Sequence, residues 1–238
     1  MRNIRRKVMI KNLAKKLNIE FKDISLLQIA LTHRSYLNEH KNEKEHNERL
    51  EFLGDAVLEL IISAYLYNTY TDRPEGELTS FRSAIVKTTS LANASRELGL
   101  GEYLRMAKGE TVSGGNDKDY LLANTFEAVL GAIYIDQGYE KCKRLVEEIL
   151  IVKLEDIVEN RLDIDSKTSI QEIAQSEFKI TPVYEVIEEN GPDHDREFVV
   201  VVKLDNKIIG KGRGSSKQKA EESAATDGLK YIKKNLNK

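Results

Sequence analysis

The chain has 238 residues, 40% of them apolar and 32% charged, an ordinary composition for a folded protein of one or two domains. Lys and Arg number 37 against 39 Asp and Glu, a formal charge of −2, and no run of about 20 apolar residues exists to cross a membrane. A lone cysteine, Cys142, excludes an intramolecular disulfide framework and fits a reducing, cytoplasmic setting.

The N-terminus is basic, with Arg2, Arg5, Arg6, Lys7, Lys11, Lys15 and Lys16 preceding the first acid, Glu20, and it reads as a solvated helix face. From there to about residue 160, apolar residues recur at spacings of three and four. Leu50, Leu53, Val57, Leu60 and Ile61 form one such series, and Leu122, Phe126, Val129, Ala132 and Ile133 another. Helix follows helix, with a loop at Gly114-Gly115-Asn116. After Asp163 the texture changes. A polar linker at 161–166 leads into a short amphipathic helix over 167–178. Three β-rich runs follow, Val183–Ile187, Phe198–Leu204 and Lys207–Gly210, and a last helix begins near Ser215. The fold expected is an all-α domain over 1–160 followed by a small α+β domain of α-β-β-β-α order over 167–238.

One stretch carries chemistry. Glu48, Glu51 and Asp55 stand at i, i+3 and i+7 in an otherwise apolar helix, so all three share a face. Like charges at that spacing repel, and carboxylates near a core are costly to desolvate, so a divalent cation would offset both. Hard oxygen ligands without a Cys or His cluster point to magnesium, with manganese able to substitute. A second apolar helix offers Asn124 and Glu127 at i, i+3, and two such helices can build an ion cage. A third acidic element, Glu75-Gly76-Glu77, opens the helix after Pro74. Gly54 is unfavourable inside a helix unless another backbone comes close there. His33, His40 and His46 read as structural or surface residues.

The segment Asn47–Val57 resembles the signature helix of the ribonuclease III family. Leu31-Thr32-His33-Arg34-Ser35-Tyr36 resembles the family's upstream segment, Glu75-Gly76 its acidic turn, and Leu122-Ala123-Asn124-Thr125-Phe126-Glu127-Ala128 its second metal-binding helix. Residues 166–235 resemble a double-stranded-RNA-binding domain. The resemblance implies a homodimeric endoribonuclease that hydrolyses double-stranded RNA with magnesium, leaves 5′-phosphate and 3′-hydroxyl ends, and works in rRNA and mRNA processing. It implies no organic cofactor and no membrane. Carried over by position, Glu51, Asp55, Asn124 and Glu127 would hold metal. Glu48, Asp55, Glu75 and Glu127 would be catalytic, and Phe52 would be a dimer contact. The chain departs from the family in one respect, since many members have an acid where Asn124 stands. A non-catalytic duplex-RNA-binding protein on the same fold is the alternative.

Charge in the second domain is uneven. Residues 166–210 hold 5 basic and 9 acidic groups, whereas 211–238 hold 8 and 3. Lys211, Arg213, Lys217 and Lys219 bracket the start of the last helix, where phosphate would offset their opposition to the helix dipole. By resemblance, Thr168, Gln171, Glu172 and Gln175 would contact one minor groove of the duplex and His194 another, with Lys217 and Lys219 on the phosphates between.

Overall fold

The computed structural model describes residues 2–159, 166–192 and 196–236. The chain divides into two compact units, Met1–Asp163 and Ile164–Lys238. The first is helical: α1 (Arg2–Lys16), α2 (Ile24–Ala30), α3 (Tyr36–Glu39), α4 (Glu48–Thr69), α5 (Glu75–Val86), α6 (Thr88–Leu98), α7 (Lys108–Val112), α8 (Asp119–Gln137), α9 (Tyr139–Ile149) and α10 (Leu154–Glu159). The second runs α11 (Ser166–Ile173), β1 (Val183–Asn190), β2 (Glu197–Leu204), β3 (Lys207–Gly214) and α12 (Lys217–Leu236). An all-helical domain followed by an α-β-β-β-α unit is the fold class expected. The linker placed at 161–166 lies, except for Ser166, outside the described residues. Among the described residues no helix is long and apolar enough to cross a membrane.

Helix α8 is the axis of the first unit. Leu121, Leu122, Ala123, Phe126, Ala128, Val129, Leu130, Ala132 and Ile133 are all buried, so it is surrounded on most sides. Its main neighbour is α4, and the two backbones touch. A Cβ on Gly54 would fall 1.7 Å from the Glu127 carbonyl oxygen, and one on Gly131 would fall 2.2 Å from that of Leu50. The unfavourable glycine inside α4 is therefore accounted for by a helix crossing that no side chain could occupy.

The far end of α8 is tied to the chain entering α2. The Asp136 carboxylate accepts the backbone N–H groups of Lys22 (2.8 Å) and Asp23 (2.7 Å), and Asp23 in turn caps α2 through Ser25 N–H. Lys16, one of the basic residues near the N-terminus, donates to the Leu98 carbonyl at the end of α6 (2.8 Å) and so serves the fold.

In the second unit β1, β2 and β3 form an antiparallel meander. Phe198, Val200, Val202 and Ile209 pack with Ile170, Ala220, Ala224 and Ile232 as its core. Strand β3 extends past Gly210, where the apolar run ends, to Gly214. Gly210, Gly212 and Gly214 face α12, and a Cβ on any of them would collide with its backbone at Ala224, Ala220 or Gly228. Apolar patterning misses this strand end because the inward residues are glycines. On the sheet's other face Val199 and Val201 are also buried. Their cross-strand neighbours carry the ion pairs Lys203–Glu185 and Lys211–Glu188, and Arg213–Glu197 adjoins them. The stems of these long side chains cover the valines. Lys211 and Arg213 are thus paired with acids on the sheet while remaining exposed.

Burial alone would raise the Asp136 carboxyl, but hydrogen bonds from Gln137, Asp23 and Lys22 hold it below the ordinary carboxylate range. A depressed carboxyl stabilises the fold above its unfolded pKa of about 3.9, and the effect is lost as pH falls through the folded value. Asp136→Asn should cost on the order of 1–3 kcal/mol at neutral pH. Urea unfolding should show that gap closing in acid, below about pH 4.

Candidate active site

Asp55, Glu51 and Glu48 occupy the first two turns of α4, and Asn124 and Glu127 the middle of α8. The backbone contact at Gly54 sets Glu127 against this stretch of α4. Burial, followed by the charges of Asp55 and Glu51, pushes the Glu127 carboxyl up to about 7. The Glu51 carboxyl is also raised, first by burial and then by Glu48 and Asp55, while a hydrogen bond from Asn124 partly offsets the rise. The structure thus brings Glu48, Glu51, Asp55, Asn124 and Glu127 into one electrostatic neighbourhood. As placed, no group of three or more His, Cys, Asp or Glu side chains among the described residues is gathered tightly enough to hold a metal ion. The proposed donors are all oxygen, three carboxylates and the Asn124 amide, with Glu51, Asn124 and Glu127 half-buried and Asp55 exposed, which fits a hard divalent cation.

Glu48 is exposed and paired with Arg34 (3.4 Å), with His46 at 3.9 Å. Glu75 is not among the charges that raise Glu51 or Glu127. It is the first residue of α5 and accepts a hydrogen bond from Thr79 (2.9 Å). Phe52 is 80% exposed. It lines a groove of about 710 Å³ whose apolar side is Leu26, Ile29, Leu50, Leu53 and Ile135 and whose polar side includes Lys44, Glu45, Glu48 and Arg49. Leu60 (58% exposed) and Tyr67 (74%) continue an apolar stripe along α4. His33 and His40 make structural contacts. His33 Nδ1 lies 2.8 Å from Ser35 Oγ, and His40 stacks on Tyr36 with ring centroids 3.7 Å apart. Burial pushes the Cys142 thiol up to about 12, which keeps it from acting as a nucleophile. Composition and spacing did not reveal Arg105, which is 6% exposed and bound to Thr32 and Glu43. A single arginine between Leu104 and Met106 looks like any surface cation until the fold buries it.

In the second unit Thr168, Gln171, Glu172 and Gln175 are exposed, while Ile170, Ile173 and Ala174 turn inward. The polar residues share one face of α11 and of the π-helical turn Ala174–Phe178 that follows it. Lys217 and Lys219 are exposed in the first turn of α12. The Lys217 Nζ stands 5.8 Å from the Phe198 ring centroid, and the Lys219 N–H is capped by Ser216 Oγ (3.3 Å). His194 lies outside the described residues.

These features define a class: a helical domain with a carboxylate centre on two crossing helices, joined to a small unit with a polar helix face and exposed lysines. Known proteins agree with that class. Residues 23–154 match the family described as Ribonuclease-III-like, and residues 166–232 match the double-stranded RNA binding motif. A Ribonuclease 3 of Caldanaerobacter subterraneus subsp. tengcongensis is 45% identical over 224 residues, covering 94% of this chain and 98% of that protein. One from Streptococcus gordonii is 47% identical over 206 residues, covering 86% and 88%. The solved nuclease domain of ribonuclease III from Campylobacter jejuni is similar at 39% identity with a TM-score of 0.55, spanning 60% of this chain and 99% of that one. The chain belongs to the ribonuclease III family: it is an endoribonuclease with a C-terminal double-stranded-RNA-binding motif.

The raised Glu127 carboxyl has a measurable sign. Between the unfolded carboxyl pKa of about 4.3 and the folded value of about 7, the native state holds a proton that the unfolded chain does not, so stability falls as pH rises through that window. In EDTA, Glu127→Gln should gain on the wild type from about pH 5 to pH 8, by about 1–2 kcal/mol once solvent screening at this half-buried site is allowed for. Urea unfolding at each pH measures the gap, and parallel curves would contradict the shift.

Proposed function

We propose that the chain cleaves double-stranded RNA by magnesium-dependent hydrolysis of phosphodiester bonds, leaving 5′-phosphate and 3′-hydroxyl ends. The observation that carries this reading is the pair Glu51 on α4 and Glu127 on α8, half-buried and raised first by burial and then by the charge of neighbouring acids, in a chain that also has an RNA-binding motif. Glu51, Asp55, Asn124 and Glu127 would hold the ion, with manganese able to substitute. A divalent cation there supplies a water acidified toward neutral pH and offsets charge at the phosphate. The protein's part is to keep four oxygen donors on two helices locked at one crossing, and to keep Glu127 ionised when the ion is present. Glu48 stands at the rim of this centre. Glu75, at the start of α5, would complete the acidic cluster, serving the site across the dimer.

The apolar stripe and groove around Phe52 support a homodimer, with Phe52 as a contact. The Campylobacter jejuni domain is itself described as having a region involved in dimer formation. Thr168, Gln171, Glu172, Gln175 and His194 would meet the minor grooves of the duplex, and Lys217 and Lys219 the phosphates between, over about 16 bp. Recognition by shape suits structured precursors of rRNA and mRNA, and an unreactive single cysteine suits the cytoplasm.

Long RNA duplex incubated with magnesium should give short duplex products, and EDTA should abolish them. Glu127→Gln should slow cleavage roughly 10²–10³-fold, the equivalent of about 3–4 kcal/mol in the barrier. Binding without cleavage in either metal would favour the non-catalytic reading. Lys217→Gln or Lys219→Gln should weaken duplex binding and each reduce the slope of log affinity against log salt by about one. A filter-binding series over ionic strength reads this out.

A further inference from the structure

We propose that Arg105 is a positioning residue for the acidic centre: its buried guanidinium clamps Thr32 and thereby fixes the backbone from which Glu48 and Glu51 project. The inference rests on reading those acids as part of the metal and catalytic site.

An arginine at 6% exposure needs a reason, because desolvating its charge costs several kcal/mol and a buried ion pair seldom repays that in stability. Here both terminal nitrogens of the guanidinium have a partner, while the buried Nε has none. Nη1 donates to Thr32 Oγ1 at 3.0 Å, and Nη2 donates to the Glu43 carboxylate. The guanidinium carbon lies 4.3 Å from the centroid of the Tyr36 ring. The backbones are joined as well: Arg105 N–H donates to Leu31 (2.8 Å), His33 N–H donates to Arg105 (2.9 Å), and Thr32 and Arg105 form an isolated parallel bridge.

From Thr32 the connection reaches the site in two hydrogen bonds. The Thr32 carbonyl accepts Asn47 N–H at 2.9 Å, and the Asn47 carbonyl accepts Glu51 N–H at 2.8 Å. This tertiary hold matters because α4 starts without a local one. Asn47, at the cap position, has helical dihedrals (φ −74°, ψ −16°), and its side chain makes no capping bond. An uncapped first turn frays readily, yet this turn carries Glu48 and Glu51. Asn47 is buried and pinned from Thr32, and Thr32 is held by Arg105.

The test uses the full-length protein, with Mn²⁺ binding followed by electron paramagnetic resonance and steady-state cleavage of an RNA duplex. Arg105→Met keeps similar volume and removes the fork. It should weaken Mn²⁺ binding roughly tenfold, the lower end for loss of a group supporting metal ligands, and lower kcat while leaving KM for the duplex unchanged. Thr32→Val, which removes the hydroxyl that Nη1 binds and leaves the rest of the side chain's shape, should give the same pattern, with circular dichroism confirming that each variant is folded, and the double variant should add little. Arg105→Lys, which keeps charge without the two-armed geometry, should fail to restore binding. Wild-type Mn²⁺ affinity in Arg105→Met and Thr32→Val would overturn the inference alone. A wild-type protein without Mn²⁺ binding sensitive to Glu127→Gln would overturn the metal reading and the inference with it.

Discussion

Two helices meet at Gly54 and Gly131 with no side chain between them, and the chemistry of the first unit depends on that contact. Packing density in a protein interior is high enough that even one methyl at such a crossing would push the axes apart. With the axes apart, Glu127 would lose both the burial and the nearby charges of Asp55 and Glu51 that raise its carboxyl. The acids do not hold themselves together; on their own they would separate. Apolar burial along α8 holds them, through Phe126, Val129, Leu130 and Ile133 on either side of Glu127. The core therefore does electrostatic work, keeping like charges at a spacing that a cation can later relieve.

The formal charge of −2 looks different in this light. Residues 1–165 hold 24 basic and 27 acidic groups, and several of those acids belong to the half-buried centre. Residues 166–238 hold 13 and 12, with several cations matched to acids across the sheet and Lys217 and Lys219 left exposed at the start of α12. Near-neutrality is thus the sum of a concentrated negative centre and a distributed positive surface. A polyanion would meet each locally, so total charge predicts little about its binding.

The helical periods and the alternation of β2 were legible because burial sorts residues by face, and face has a period. The acidic face of α4 was legible for the same reason, since Glu48, Glu51 and Asp55 break an apolar stripe that would otherwise be continuous. Gly54 signalled a close approach, and the approach exists. What escaped were features made by partners far apart in the chain. Arg105 and Asp136 are unremarkable charged residues until Thr32 and Lys22 are folded against them. The ion pairs of Lys211 and Arg213 escaped because their acids lie on other strands, β1 and β2. The end of β3 escaped because its inward residues have no side chains to register.

The glycine row of β3 has a consequence for reading duplexes. With Gly210, Gly212 and Gly214 against Ala220, Ala224 and Gly228, the strand and α12 approach through backbone, and no rotamer can change to alter their separation. Lys217 and Lys219 therefore ride on a stiff mount, and the polar face of α11 packs into the same small core through Ile170. If these surfaces meet a duplex as proposed, the unit would act as a fixed calliper. A-form RNA repeats its shallow groove at a span set by its own geometry, and a rigid gauge accepts that span while a B-form helix of different groove widths leaves one jaw without contact. Selectivity for RNA over DNA duplexes would then come from inflexibility, before any contact with a 2′-hydroxyl is counted.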